Sequence, residues 1–310
     1  AYGDYVSGET YHDDKNSIQT CIDYATENKY EIQFLYKTYY ISDTIYLKDN
    51  NSNINGNNAK IYSDTSTTII SMIDGDVLRY ACIENLSIVG NDDESSIGML
   101  VSAGYTTFRH LNISHVATGF KMKHQSVPGN LVGNRYEDLG IRNCTLYSMY
   151  LGDSDNNKIT DGWITDCAFT GNPDTHIYIG SCAGYKIENI HTSGGGDIPY
   201  TLRNCSRTNI NNIYMENYHT RGFNLLLARD VNISNVTAKS NYDDSILFRI
   251  ETTNTIRKRN VNISNVFVDS NDETDPTNPV IVGGTNNLTI DVFITNLKVA
   301  LSSYILKPSN

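Results

Sequence analysis

A short phrase of apolar and polar residues recurs nine times along the chain and limits its fold more than any other feature. In each copy an apolar residue, a variable residue and usually Asn or Asp are followed by an apolar, a variable and a second apolar residue. The copies begin at Ile83, Phe108, Tyr136, Ile164, Ile187, Ile210, Ile233, Ile263 and Ile294. The third positions of four consecutive copies, Asp166, Asn189, Asn212 and Asn235, are 23 residues apart. A fixed period of this size is typical of a repeat architecture.

Each repeat is too short to hold a helical crossover between parallel strands. It contains two or three strands of alternating polarity and no helical period, and a crossover alone needs about a dozen residues or more. The unit fits one coil of a parallel β-helix, in which every coil buries its inward side chains on its neighbours. The Asn at the third position is expected at a turn between strands, where it tolerates the left-handed conformation and bonds to its copy in the next coil. We therefore predict an all-β solenoid with an asparagine ladder along one corner.

Insertions enter the repeat mainly at one other corner. In each repeat a further apolar strand follows the third position. The distance from this strand to the next third position is 10 residues in the regular repeats, but 15 from Leu151 to Asp166 and 17 from Phe248 to Asn265. Longer loops at a common edge can form the walls of a cleft. This insertion corner is one candidate site, and it holds His124, Asp153, Asp155, Asp161, Trp163, Glu251 and residues 257–259.

The amino-acid composition disfavours several classes of binding partner. A formal net charge of −11 disfavours nucleic acid and anionic membranes. No apolar run approaches the roughly 18 residues of a membrane span, so we expect no membrane insertion. The six cysteines show no zinc-binding spacing, and we expect neither a metal nor a cofactor. Cys182 and Cys205 are predicted to stack in adjacent coils as free thiols, with a disulfide as the alternative.

Residues near the N-terminus predict one amphipathic helix of about three turns. Asp13 and Asp14 are candidates for its N-cap. Its apolar residues follow the helical spacing i, i+3, i+4 and i+7, and they are Ile18, Cys21, Ile22 and Ala25. A solenoid needs its open end covered, and this helix is the natural cap.

This stretch and the strands after it resemble the start of pectin-lyase-like β-helices, a family that includes phage tailspike depolymerases. The matching segments are residues 13–25, 32–34, 39–47 and 53–61. The resemblance implies a right-handed parallel β-helix solenoid with an N-terminal capping α-helix. It divides the chain into a leading segment with the cap (1–44), about ten coils (45–300) and a closing segment (301–310). It further implies a bacterial surface polysaccharide as partner, a homotrimer, and a place on a phage virion tail or outside the cell.

Residues at equivalent positions of successive repeats are expected to be neighbours in space. On this basis the alignment places several polar residues close together. Eight residues past the third position, one column holds Asp174, Asp197, Thr220 and Asp243. We predict catalytic roles for Asp174, Asp197, Glu216 and Asp243. We predict that substrate is bound by Trp163, His176, Tyr218, His219, Arg221, Tyr242 and Asp244.

The spacing of coils sets the distance between the carboxylates. Adjacent coils lie about 4.8 Å apart, so Asp174 and Asp197 are expected about 5 Å apart and Asp197 and Asp243 about 10 Å apart. Retaining glycosidases place their two carboxyls about 5 to 5.5 Å apart and inverting ones about 6.5 to 9.5 Å apart. The aspartates also suit a repeated turn without any function. Trp163 is interpreted as either a platform for a sugar ring or a core residue.

The function that the resemblance to phage tailspike depolymerases implies is binding and depolymerisation of a bacterial surface polysaccharide, such as a capsule, O-antigen or wall polymer. One carboxylic acid would protonate the glycosidic oxygen while a carboxylate activates water. The 22 tyrosines suit carbohydrate contact because their rings are amphipathic and have few rotatable bonds. Two alternatives remain: β-elimination of a uronic-acid polymer, and a receptor-binding adhesin without catalysis.

Overall fold

Every strand pairing that the structure describes is parallel, and the partners come from successive coils. The computed structural model describes residues 12–47, 53–65, 67–72, 78–122, 131–152, 159–194, 197–240, 246–252, 259–270, 278–284 and 290–300. Over these residues the chain is a right-handed parallel β-solenoid with one α-helix near its N-terminus. The predicted fold class is therefore confirmed.

The elements follow in chain order. The helix is α1 (Lys15–Asn28). The first strands are β1 (Ile32–Gln33), β2 (Thr38–Tyr40), β3 (Ile45–Tyr46), β4 (Asn53–Tyr62), β5 (Thr68–Ser71), β6 (Leu78–Arg79), β7 (Cys82–Val89), β8 (Ile97–Val101) and β9 (Ala103–Gly104). The central strands are β10 (Thr107–Met122), β11 (Leu131–Val132), β12 (Arg135–Glu137), β13 (Gly140–Leu151), β14 (Ile159–Thr160), β15 (Trp163–Thr165), β16 (Ala168–Thr170), β17 (Thr175–Gly180) and β18 (Cys182–Ala183). The last strands are β19 (Lys186–Ser193), β20 (Tyr200–Arg203), β21 (Ser206–Glu216), β22 (Arg221–Leu226), β23 (Arg229–Ser240), β24 (Ile246–Thr252), β25 (Arg259–Ser270), β26 (Asn278–Gly284) and β27 (Ile290–Ala300).

The longer strands form three faces of the solenoid, and the short strands β6, β9, β11, β14 and β18 pair with one another between the third face and the first. The first face contains the residues before each repeated Asn or Asp, as in β12 and β15, which pair in register. The second face contains the residues after it, as in β16 and the end of β19. The third face contains β17, β20, β22 and β24, stacked in that order. Long strands such as β10 and β13 continue over more than one face because they bend at the corners.

The corner between the first and second faces is the predicted asparagine ladder. All nine third positions of the repeated phrase are left-handed, with φ between 49° and 57°. Asn189 donates from Nδ2 to Asp166 at 2.8 Å, and Asn212 donates to Asn189 at 2.7 Å. Asn235 donates instead to Oδ1 of Asn211 at 2.8 Å. The prediction of left-handed residues bonded from coil to coil is confirmed.

The core runs along the axis of the solenoid as columns of identical or similar side chains. Ile164, Ile187, Ile210, Ile233 and Ile263 align in register and are at most 1% exposed. A second column stacks aromatic rings, with Tyr200 and Phe223 centred 4.7 Å apart and Phe223 and Phe248 5.1 Å apart. Since no coil can bury these side chains alone, the coils stabilise one another.

The helix covers the first coil, as predicted. Its buried residues are Ile18, Ile22 and Ala25, and Gln19 bonds through both side-chain atoms to the backbone of Tyr46 in β3. The helix thereby satisfies the backbone of Tyr46 at the edge of the first coil, where unpaired strand groups would otherwise be exposed. The expectation that Cys21 shares the buried stripe is wrong, because this stripe is narrow and Cys21 is exposed at its edge.

The cysteines are all free thiols. Cys182 and Cys205 are buried side by side, and burial raises the pKa of the Cys182 thiol well above its ordinary value. The prediction of stacked free thiols is confirmed.

Candidate functional site

The predicted aspartate column exists at the corner between the second and third faces. The amide of Ile198 donates to the carbonyl of Asp174 at 3.0 Å, so Asp174 and Asp197 lie in adjacent coils. The amide and hydroxyl of Thr220 donate to the carbonyl of Asp197 at 3.1 and 3.2 Å, which places Thr220 next in the column. Both aspartate side chains are exposed. We call this column the aspartate corner.

Three members of the predicted site, Tyr242, Asp243 and Asp244, lie outside the described residues. His219 and Arg221 flank Thr220 and are partly exposed. Arg221 begins β22, so its position leads from the aspartate corner onto the third face.

Two predicted substrate-binding residues are buried, and this part of the prediction is wrong. His176 is 1% exposed, and its Nδ1 lies 3.0 Å from the Ser148 hydroxyl inside the solenoid. Burial lowers the pKa of His176 from 6.5 to about 3, so the imidazole is neutral. Tyr218 is 0% exposed. Counting residues from the repeated Asn or Asp placed both residues near the corner correctly. It did not show that their side chains face the core.

Glu216 lies on the second face rather than on the aspartate corner. Its Oε1 accepts a hydrogen bond from the Tyr214 hydroxyl at 2.6 Å, and its Oε2 lies 3.9 Å from Nε2 of His191. Glu216 is therefore separated from the predicted catalytic residues Asp174 and Asp197, because it contacts Tyr214 and His191 of its own face.

Trp163 lies on the first face and is partly exposed. The interpretation as a core residue is therefore wrong, since the neighbouring Ile164 points inward instead.

The insertion corner is only partly described. Asp161 adopts a left-handed turn with φ 54°, and Glu251 forms an ion pair with Arg249. His124, Asp153, Asp155 and residues 257–258 lie outside the described residues.

A cavity of about 390 Å³ lies on the third face beside the aspartate corner. We call it the tyrosine pocket, and it is lined by Thr118, Lys121, Met122, Leu146, Tyr147, Tyr150 and Gly152. Tyr150 stacks on Tyr178 of the next coil, with ring centroids 4.7 Å apart and planes 4° from parallel. Tyr147 meets Tyr150 edge-on at 4.9 Å. Three partly exposed rings thus form one aromatic platform at the pocket.

The tyrosine pocket and the aspartate corner form one continuous surface. Tyr147 pairs in register with Thr175, the residue after Asp174. Burial raises the pKa of Tyr147, and the nearby negative charge of Asp174 raises it further. A ligand resting on the tyrosines therefore lies within reach of Asp174.

Sequence reasoning missed the residues of this pocket, although a signal was present. Lys121, Tyr150 and Tyr178 occupy one outward row in successive coils. Counting forward from the third position would have aligned Tyr150 with Tyr178, since each lies 12 residues past its Asp. The partial burial of these tyrosines and the cavity itself depend on the neighbouring coils, which the count does not describe.

Within the described parts of the chain, no group of three His, Cys, Asp or Glu side chains is placed to hold a metal ion. Within the same parts, no helix is long and apolar enough to cross a membrane.

The sequence model of the family described as Right handed beta helix region matches residues 130–292, more than half of the 310-residue chain. The chain belongs to this family. The aspartate corner, the tyrosine pocket and Trp163 all lie on the coils of this right-handed β-helix. No curated protein sequence matches the chain.

Solved structures similar to this β-helix have diverse functions. Endo-xylogalacturonan hydrolase from Aspergillus tubingensis is 15% identical with a TM-score of 0.52, over 95% of this chain and 91% of that one. The Streptococcus pneumoniae surface protein and adhesin PfbA is 12% identical with a TM-score of 0.53, over 94% of both chains. The gp42 tailspike of Acinetobacter phage vb_AbaP_AS12 is 11% identical with a TM-score of 0.52, over 93% of this chain and 60% of that one. At such identities the likeness shows the fold alone.

Proposed function

We propose that this right-handed β-helix binds a bacterial surface polysaccharide in the tyrosine pocket and cleaves it by glycosidic hydrolysis at the aspartate corner. The observation that carries the proposal is the closeness of three tyrosine rings to a pair of exposed aspartates in adjacent coils. Tyr147 pairs with Thr175, the residue after Asp174, and the charge of Asp174 raises the pKa of Tyr147. Aromatic rings bind the apolar faces of sugars, and paired carboxyls are the groups that glycosidases use.

The chemistry requires two carboxyl groups in different protonation states. Asp174 and Asp197 are one coil apart, about 5 Å between backbones. The protonated member gives its proton to the glycosidic oxygen as the bond to the anomeric carbon breaks. The ionised member either bonds to that carbon or removes a proton from the attacking water, according to the separation of the carboxyl groups in the complex.

Lys121 adds selectivity for a charged polymer. Among the described residues no carboxylate is paired with its ammonium group, whereas the other wall residues of the pocket are uncharged. In a chain of net charge −11, such a cation favours a sugar that carries an acidic group. We propose that acidic repeat units bind with their anionic group toward Lys121.

Analysis of the products tests this function. The purified protein is incubated with capsule, O-antigen and wall polymers from several bacteria, and new reducing ends are measured. Hydrolysis yields saturated fragments with new reducing ends, and a uronate lyase yields fragments with the ultraviolet absorbance of an unsaturated sugar. A polymer that is bound but left intact rules out the enzymatic part of the proposal.

A second candidate function is binding without catalysis, as in an adhesin. It is favoured by the location of Asp174 and Asp197 at a chain turn, where aspartate is common whatever its role. The tyrosine pocket would then be the receptor site and the aspartates would stabilise the turn.

The setting of the protein is also a proposal. We propose a homotrimer located outside the cell, on a phage tail or as a secreted protein, in which 1–44 cap the solenoid of 45–300 and 301–310 close it. The tailspike among the similar structures supports this setting. Residues 301–310 and 1–11 lie outside the described residues.

A further inference from the structure

The first face carries a compact group of polar side chains around Trp163. Trp163 is the only tryptophan of the chain. It pairs in register with Arg135 of the preceding coil and Lys186 of the following coil. Glu137 and Glu188 lie two residues along the same strands and point to the same side. We call these five residues the tryptophan patch.

All five side chains point outward because the residues between them point inward. Tyr136, Ile164 and Ile187 are each 0% exposed, and side chains alternate along a strand. Trp163 therefore has no place in the core, and packing does not require an aromatic ring there. The outward positions that pair with it hold arginine and lysine in the adjacent coils.

The tryptophan ring is held in place by a charged neighbour. The Arg135 guanidinium lies over the ring with its central carbon 5.1 Å from the ring centroid. The same guanidinium lies 3.9 Å from Glu137, while Lys186 pairs with Glu188 at 2.8 Å. An ordered ring loses little conformational entropy on binding, and this favours contact with a ligand.

The charges of the tryptophan patch cancel. Arg135 and Lys186 are matched by Glu137 and Glu188, and each pair lies on one strand. The four side chains offer fixed donors and acceptors that suit sugar hydroxyl groups. A patch without net charge gives no general attraction to an acidic polymer. In the tyrosine pocket, by contrast, the Lys121 ammonium has no carboxylate partner among the described residues.

We infer that the tryptophan patch is a second carbohydrate-binding site, separate from the tyrosine pocket, in which an uncharged pyranose stacks on Trp163 between the two ion pairs. It lies on the first face, whereas the tyrosine pocket lies on the third. The inference does not depend on hydrolysis at the aspartate corner.

Fluorescence tests it directly, because Trp163 is the only indole in the chain. Neutral glucans, galactans and mannans are titrated into the protein while the tryptophan emission is recorded. We expect one of them to give a saturable change that persists in Tyr150→Ala and that varies little with salt. No change with any neutral polymer overturns the inference, and so does loss of the signal in Tyr150→Ala or binding only to acidic polymers at low salt.

Calorimetry with variants provides the second readout. Trp163→Ala should weaken binding of the responsive polymer about tenfold or more, the range of an aromatic hot spot, and Trp163→Phe should retain part of it. The matched control is Phe293→Ala, which removes another exposed ring (58% exposed) further along the same row. Equal loss in the control and in Trp163→Ala overturns the inference. Product analysis on the same samples shows separately whether the proposed hydrolysis occurs.

Discussion

Two corners of the same coil differ in how their side chains are bonded. At the asparagine corner all nine third positions of the repeated phrase adopt the same left-handed conformation, and amide side chains bond to the coil before. At the aspartate corner the coils are joined by backbone bonds, and the residue type changes from Asp174 and Asp197 to Thr220. In the described residues no side-chain hydrogen bond involves the carboxylates of Asp174 and Asp197.

The difference lies in what the side chains are used for. A ladder of identical amides consumes its donors and acceptors within the protein, so that corner has little capacity left for a ligand. At the aspartate corner the bonds between coils end on backbone carbonyls, so the carboxylates of Asp174 and Asp197 remain available to solvent and substrate. This difference is the reason for proposing the reaction at the aspartate corner, next to the tyrosines.

The strongest test of this comparison exchanges aspartate for asparagine at both corners. Asp174→Asn and Asp197→Asn should each lower the rate of polymer cleavage about 10²- to 10⁴-fold, the usual contribution of a general acid or base. Asp166→Asn is the matched control, because Asp166 stands in the ladder where its neighbours are asparagine. The initial rate of reducing-end release measures the effect. Full activity in both corner variants would show that the aspartate corner is structural too.

The buried side of the aspartate corner predicts a dependence of stability on pH. His176 has a pKa of about 3 in the folded protein against 6.5 when unfolded. Because the unfolded chain binds the proton more readily, stability is full above pH 6.5 and falls as the pH drops from 6.5 toward 3. The loss should reach about 3 kcal/mol at pH 4.5, at about 1.4 kcal/mol per pH unit.

Urea unfolding of the protein and of His176→Gln at pH 7 and pH 4.5 measures the loss of stability that His176 causes on acidification. The variant should lose less stability than the wild type between the two values, whatever its stability at pH 7. His191→Gln removes an exposed histidine, whose side chain is 47% exposed, and serves as control. The assignment fails if His176→Gln and the wild type lose the same free energy on acidification.

The tyrosine pocket should account for most of the polymer affinity. Tyr150→Ala removes the ring that contacts both Tyr147 and Tyr178, and affinity should fall about tenfold or more because such rings act as hot spots. Tyr105→Ala is the control, since Tyr105 also stacks on a tyrosine but belongs to a different corner. Calorimetry measures the affinity of each variant for the cleaved polymer. If Tyr150→Ala binds it as tightly as the wild type, the tyrosine pocket is not the binding site.

The smallest effect is expected at the asparagine corner. Asn212→Ala should lower the free energy of unfolding by about 1 to 2 kcal/mol, because alanine disfavours the left-handed conformation and the bond to Asn189 is lost. Asn212→Gly keeps the conformation available and should cost less. The urea midpoint measures both changes, and polymer cleavage should stay normal. A larger loss in the glycine variant would contradict this explanation of the corner.

Much of the fold could be predicted because the repeat appears directly in the sequence. The interval of 23 residues located the asparagine corner, the inward isoleucines and the alignment of Asp174 with Asp197. The helix was visible from its apolar spacing, although Cys21 was misplaced. The candidate site was predicted less completely, since the count grouped Glu216, which lies on the second face, with Asp197.

Counting alone determined which residues become neighbours along the axis, because coils stack at a constant rise and parallel strands keep their register. Only the tertiary structure decided which of these residues face outward. His176 and Tyr218 point into the core, while Tyr147, Tyr150 and Tyr178 meet on the surface around a cavity. The direction of a side chain at a corner depends on how sharply the backbone bends there, and that bend is set by packing between coils rather than by the residues of one repeat.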